Sequence, residues 1–248
     1  MKRFWMRALL CFALSAALLT GCALSPSSQP AESPTDPLTG QELVWPGQRP
    51  VAITIDNAAA STTQWGLSTA SLVLEALTAQ QQATRLCLVY PAVGAVPQVG
   101  PVSAGQDLYW RLLVGQQVLP VQRGGGQFDQ NYLDYYSLRA VDALEVGTNA
   151  FSCETDWQNV PLWHTSGAAL SGVLGSLNIS PALTESRVTD TSSSSSDSES
   201  GTLLSVPNLL PMQENGKLPD ADASDAMSVR VQFDAQNATG FSYDADSG

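Results

Sequence analysis

Val51-Ala52-Ile53-Thr54-Ile55 constrains the fold of this chain more than any other segment. Val, Ile and Thr are β-branched, which disfavours a helix and suits the packed surface of a strand. The near-continuous apolar run reads as a strand buried on both faces, and Asp56-Asn57 closes it with turn chemistry. Such a strand needs partners on either side and cover above and below. A layered domain must therefore be built around it.

The downstream pattern supplies candidates for those layers. Ser68 reads as the N-cap of a helix over Thr69 to Gln80, with Leu72, Val73, Ala76 and Leu77 on one face. Leu86 to Tyr90 reads as a second strand, followed by a Gly/Pro-punctuated loop from Pro91 to Pro101. A helix is expected over Gly105 to Val114, and a third strand over Val118 to Val121, ending at Arg123-Gly124-Gly125-Gly126. A helical patch follows around Tyr132 to Tyr136. Strands alternating with helices predict an α/β domain with a mixed or parallel sheet and crossover helices. Residues 37–184 are expected to form it. The Ser-rich stretch 185–202 cannot bury apolar surface and reads as a linker or surface loop. In 203–248, Val229 to Phe233 alternates as a half-exposed strand does, with Phe241-Ser242-Tyr243 as its hairpin partner. One hairpin is marginal alone, so this region is expected to be the start of a β-rich second domain, only partly contained in the chain.

The N-terminus carries an address. Lys2, Arg3 and Arg7 precede an apolar run from Ala8 to Leu19 that is too short to span a membrane. Leu19-Thr20-Gly21-Cys22 ends it as a bacterial lipobox does. Residues 1–21 are expected to be a lipoprotein signal peptide, with diacylglycerol and palmitate-type acyl chains attached at Cys22. Residues 22–36, rich in Ser and Pro, would then tether the folded part to the extracytoplasmic face of the cell membrane. The chain carries a formal charge of −12, and loss of Lys2, Arg3 and Arg7 with the leader leaves −15. A nucleic-acid partner is excluded on charge. Cys87 and Cys153 remain after the leader. Cys87 lies in an apolar run and reads as a small buried hydrophobe, and spacing does not decide whether the two pair. No Cys/His spacing suits structural zinc, and no cofactor motif is present.

Several collinear motifs make the chain resemble the YerB-like lipoproteins, a family of anchored, largely uncharacterised proteins of Gram-positive bacteria. They are Asp36-Pro37-Leu38-Thr39-Gly40, Arg49-Pro50 with the strand through Asn57, and Gly66-Leu67-Ser68 with Glu75-Ala76-Leu77. Thr84-Arg85 and Val99-Gly100-Pro101-Val102 continue the order. The resemblance covers roughly residues 36–178 and, more weakly, the hairpin from Val229 to Gly248. It implies a smaller C-terminal domain that continues past Gly248. It also implies a His-Pro pair where this chain has Ala58-Ala59, an Arg at Ser103, and a Pro-His-Asn cluster near Pro161-Leu162-Trp163-His164. The polar positions differ and the packing positions are kept.

Ligands of open parallel sheets sit outside the carboxyl ends of the strands. Asp56 and Asn57 follow the first strand, Ser103 closes the loop after the second, and Arg123 with Gly124 and Gly125 follows the third. These six residues form a candidate rim, with Arg123 for a carboxylate or phosphate and the glycine amides as an anion nest. Turn chemistry explains the same residues equally simply. Glu75 and Arg85 are candidates for an ion pair at a helix–strand junction, or for two solvent-facing charges. His164, the only histidine, is a candidate base beside Asp156 or Ser166, though no Gly-x-Ser-x-Gly elbow accompanies it. Trp65, Trp157 and Trp163 are candidate sugar platforms or core-edge anchors. The Asp220-x-Asp222-x-Ser224-Asp225 stretch fails the EF-hand pattern, with Asp225 and Val231 where Gly and Glu are required. The reading is a lipid-anchored, non-enzymatic module that binds an envelope small molecule, glycan or protein partner. The alternative is an envelope hydrolase or transferase using Asp56, Arg123 and His164.

Overall fold

The computed structural model describes residues 35–58, 63–78, 83–156, 159–184, 207–210 and 226–244. The leader with Cys22, most of the tether, Ala59, Trp157, the Ser-rich stretch and the acidic stretch 220–225 lie outside the described residues.

The β-branched run forms β1 (Val51–Asp56), the middle strand of a five-stranded sheet. On one side it pairs with β3 (Thr84–Tyr90), antiparallel, with Val51 opposite Tyr90 and Asp56 opposite Arg85. On the other it pairs in parallel with β4 (Leu119–Gln122). β2 (Leu72–Leu77) lies antiparallel outside β3, and β5 (Val141–Asp142) parallel outside β4. The strand order is β2-β3-β1-β4-β5. The α/β expectation stands, and the sheet is mixed.

The expected helix over Thr69 to Gln80 is replaced by a 3-10 turn at Leu67–Thr69 and strand β2. Leu72, Leu74 and Ala76 face one layer, while Val73, Glu75 and Leu77 face the other. Leu-Val-Leu-Glu-Ala-Leu satisfies a period of two as well as it satisfies 3.6, and pairing along β3 decides between them. With no helix between them, β1 and β3 run antiparallel instead of parallel.

Alternation along β1 divides the interior. Val51, Ile53, Ile55, Leu86, Leu88 and Tyr90 point into one core, capped by residues 93–102, Ala150 and Phe151. Ala52, Cys87 and Val89 point into the other, under α1 (Asp107–Leu113) and α2 (Gln127–Tyr135), where Trp110 is wholly buried. A short helix α3 (Ala143–Val146), the hairpin β6 (Ser152–Thr155) and β7 (Pro161–His164), and helix α4 (Gly167–Leu174) complete the first layer.

Arg49 ties the start of the sheet together. Its guanidinium donates to the carbonyls of Gln117 (2.8 Å), Val118 (3.0 Å) and Ser180 (3.0 Å). The turn at Asp36–Gly40 seats Leu38 in the second core, with Asp36 Oδ1 accepting from the Leu38 amide at 2.7 Å. Cys87 is buried in that core, Cys153 is exposed on β6, and both are free thiols. The expected hairpin forms as β8 (Ser228–Gln232) and β9 (Ala238–Ser242). It reaches the sheet through Thr239 Oγ1, which donates to Glu75 Oε1 at 2.7 Å. Among the described residues no helix is long and apolar enough to cross a membrane.

Candidate functional site

The carboxyl ends of β1 and β4 lie at one edge because the two strands are parallel. The loop after β3 starts at the opposite edge, since β3 is antiparallel, and reaches the rim only by running back. Val102 bridges Ile55, and the Asp56 amide donates to the Pro101 carbonyl at 2.9 Å. The Ser103 amide donates to Thr54 O (2.9 Å) and the Arg123 amide to Ser103 O (2.8 Å). Ser103 therefore joins the rim through its backbone, as a splint between β1 and the extension of β4.

The glycine nest already holds an anion. Gly124 has φ 66° and donates its N–H to Asp142 Oδ1 at 2.8 Å. The same oxygen accepts from the Leu144 amide at 2.8 Å and caps α3. The nest expected to receive a ligand is thus filled by the protein's own carboxylate. Arg123 is exposed and lies 5.4 Å from the centre of the Trp163 ring, a cation–π contact.

The remaining candidates separate. Asn57 Nδ2 donates to Glu75 Oε1 (3.1 Å) and Thr84 Oγ1 (2.7 Å) on the first-core side of the sheet. Arg85 alternates to the other face, so the expected Glu75–Arg85 ion pair does not form. His164, at the end of β7, meets Trp65 edge-on at 5.4 Å and lies 3.6 Å from Glu154. Its neighbour Trp163 faces Arg123, so the strand turns His164 to the other side. It lines a cleft to which neither Asp56 nor Arg123 contributes. The polar set required by the hydrolase reading is not assembled in one place.

A different cleft, of about 370 Å³, opens where the end of β2 and the start of β3 meet the starts of α1 and α2. Thr78, Arg85, Gln106, Gly126, Phe128 and Asp129 line it. Tyr109 Oη donates to the Arg85 carbonyl at 2.5 Å, fixing the strand end. Arg85 Nη1 donates weakly to Ala104 O at 3.4 Å, while Arg85 Nε and Gln106 Nε2 are buried without a hydrogen-bond partner. Phe128, 77% exposed, flanks the opening. Asp129 closes the inner wall with its oxygens bonded inward. Oδ1 accepts from Trp110 Nε1 at 2.5 Å, and Oδ2 accepts from Gln122 Nε2 at 3.0 Å.

Residues 38–175 match the family model described as the N-terminal domain of DUF3048, a protein of unknown function. The chain belongs to the DUF3048 family. The crystal structure of YerB protein from Bacillus subtilis is similar to it, with a TM-score of 0.52 and 24% identity. That match covers 60% of this chain and 52% of YerB, so the chain spans about half the length of the solved structure. The likeness shows the fold, in keeping with the YerB-like motifs. No curated protein matches the chain.

Within the DUF3048 domain, the motifs that carry the resemblance do packing and backbone work. Leu38 plugs a core, Arg49 clamps carbonyls, and a Cβ at Gly100 would sit 2.7 Å from the Trp163 carbonyl. The cleft residues Gln106, Phe128 and Asp129, and Gln122 bonded to Asp129, escaped sequence reasoning, because no motif spacing marks an amide or a first-turn carboxylate. One signal was available: Gly105 and Gly125 are spaced to admit the side chains that make the polar brace. A Cβ at Gly105 would lie 1.9 Å from Gln122 Oε1, and one at Gly125 1.9 Å from Asp129 Oδ2. Among the described residues no cluster of His, Cys, Asp or Glu is placed to hold a metal.

Asp129 is 2% exposed, and burial pushes its carboxyl above the usual carboxylate range. The hydrogen bonds from Trp110, Gln122 and Gln130 pull the other way, and Asp142 adds to the upward push. Because the folded form holds its proton more tightly than the unfolded chain, its stabilising share is full below about pH 4 and is lost as pH rises through the folded value. Asp129→Asn removes that titration while giving up one acceptor. Chemical denaturation of both proteins between pH 4 and 7 should show the stability advantage of wild type over the variant shrinking as pH rises. A constant or growing advantage contradicts the assignment.

Proposed function

We propose that this DUF3048 protein is a lipid-anchored, extracytoplasmic binding module that takes a small anionic molecule in the Arg85 cleft. The observation that carries the reading is the convergence of two buried, unpartnered donors, Arg85 Nε and Gln106 Nε2, on one opening. Unpaired buried donors cost about 1–3 kcal/mol each, and a bound oxygen offsets that cost. The start of α2, with Gly126 at its N-cap, adds backbone N–H groups and the positive end of a helix dipole. A guanidinium suits a carboxylate or phosphate, and Phe128 offers an apolar flank for the rest of the ligand. The strongly acidic chain repels anions at long range. Recognition therefore acts at short range, where a Debye length of about 8 Å no longer screens the site. The lipobox at Cys22 supports the location, and the acidic surface leaves anchoring to the acyl chains.

Two experiments test the two halves of this reading. Expression of Cys22→Ser in a bacterium fed labelled palmitate should give an unlabelled chain that leaves the membrane fraction; a variant that stays labelled or membrane-bound refutes the anchor. For the cleft, wild type and Arg85→Met are titrated with inorganic phosphate, succinate and phenylacetate by NMR. Wild type should bind at least one with shifts at Gln106 and Phe128, and Arg85→Met should bind at least tenfold more weakly, about 1.4 kcal/mol. Equal binding by the variant, or no shift in wild type, overturns the cleft.

A further inference from the structure

His164 has no role in the Arg85 cleft, yet its environment is built. It is 8% exposed, and neither ring nitrogen has a hydrogen-bond partner; the Glu154 carboxylate, at 3.6 Å from Nε2, stays beyond bonding distance. An imidazole buried with both nitrogens unmatched is costly to the fold. The ring borders a cleft of about 350 Å³ in the first-core layer, on the side of the sheet away from Arg85. That volume falls in the range of roughly 300–1,000 Å³ found for small-molecule sites.

The lining decides the chemistry. Gln98, Asn149, Ser152, His164 and Ser166 supply the polar wall, and Phe151 with its neighbouring alanines supplies an apolar one. Among the described residues no Lys, Arg, Asp or Glu lines the cleft; Glu154, beside His164, is not part of the lining. Ser166 already caps α4 by accepting from the Ala169 amide at 3.3 Å, and the Gly167 amide is engaged with Val96 O, so the start of α4 is not an open anion site. Amides, hydroxyls and an imidazole each offer both a donor and an acceptor, or can choose between them. That suits hydroxyl groups, which also donate and accept, and leaves a full charge without a counterpart. The apolar wall suits the C–H face of a pyranose ring.

We propose that this cleft is a second binding site, independent of the Arg85 cleft, that takes a neutral saccharide unit with His164 bonding to ring hydroxyls. Trp65 packs edge-on against the imidazole and fixes its plane, acting as a positioning residue.

The test uses the isotopically labelled full-length protein and two-dimensional NMR titration with glucose, galactose and N-acetylglucosamine, with glucuronate and glucosamine as charged comparators. At least one neutral sugar should shift the amides of Asn149, Ser152 and Thr165, and the charged sugars should bind at least tenfold more weakly. His164→Phe, which keeps a ring against Trp65, should weaken the neutral sugar at least tenfold, and Asn149→Ala, at an exposed position, should weaken it measurably without touching the core. Arg85→Met should leave sugar binding unchanged, which separates this site from the anion cleft. Absence of shifts with every neutral sugar, equal or tighter binding of the charged ones, or undiminished binding in His164→Phe overturns the proposal.

Discussion

The brace joining Trp110, Asp129, Gln122 and Asp142 is the interaction on which the sheet edge beside the Arg85 cleft depends. Gln122 ends β4 wholly buried, and its single amide nitrogen donates to Asp129 Oδ2 at 3.0 Å and Asp142 Oδ2 at 3.2 Å. Trp110 brings in α1, Asp129 brings in α2, and Asp142 brings in β5 and the Gly124 turn. One network thus ties two helices and two strands at the sheet edge. Hydrogen bonds contribute roughly 0.5–1.5 kcal/mol each, and an orphaned buried donor costs about 1–3 kcal/mol. The brace is therefore stiff when complete and expensive when broken. Gly105 and Gly125 are the backbone consequence, since any side chain there would collide with it.

This frame explains the contrast between the two clefts. The Arg85 cleft is shaped by the brace, which turns the Asp129 carboxylate inward and leaves the buried Arg85 Nε and Gln106 Nε2 as the unpartnered donors of its wall. The His164 cleft is shaped by the first core, through Ala150, Phe151 and the segment around the Gly100-Pro101 cis peptide. Ser103, where the family resemblance implies an arginine, works through its backbone alone in the described hydrogen bonds. Replacing a side chain at such a position changes what the rim presents without disturbing the splint beneath it.

What could be read from the sequence follows from local physics. β1, α1, β4 and the β8–β9 hairpin were legible because β-branched runs, turn residues and strict alternation leave few alternatives. β2 was not, because its leucines satisfy both periods and only pairing with β3 breaks the tie. That one element reversed β3, rerouted the loop to Ser103 and placed Glu75 and Arg85 on opposite faces. The site was less legible than the fold. Arg85 was visible as a polar candidate, but its unpartnered Nε is a fact of packing, and the Gly124 amide expected to face a ligand is taken by Asp142.

The most direct test of the brace is backbone amide hydrogen exchange in wild type and Trp110→Phe, which removes one donor and keeps an aromatic ring. The brace requires faster exchange confined to residues 103–107 and 123–130, with the amides of β1 and β3 unchanged. Unchanged exchange at that edge, or acceleration spread evenly over the sheet, would contradict it.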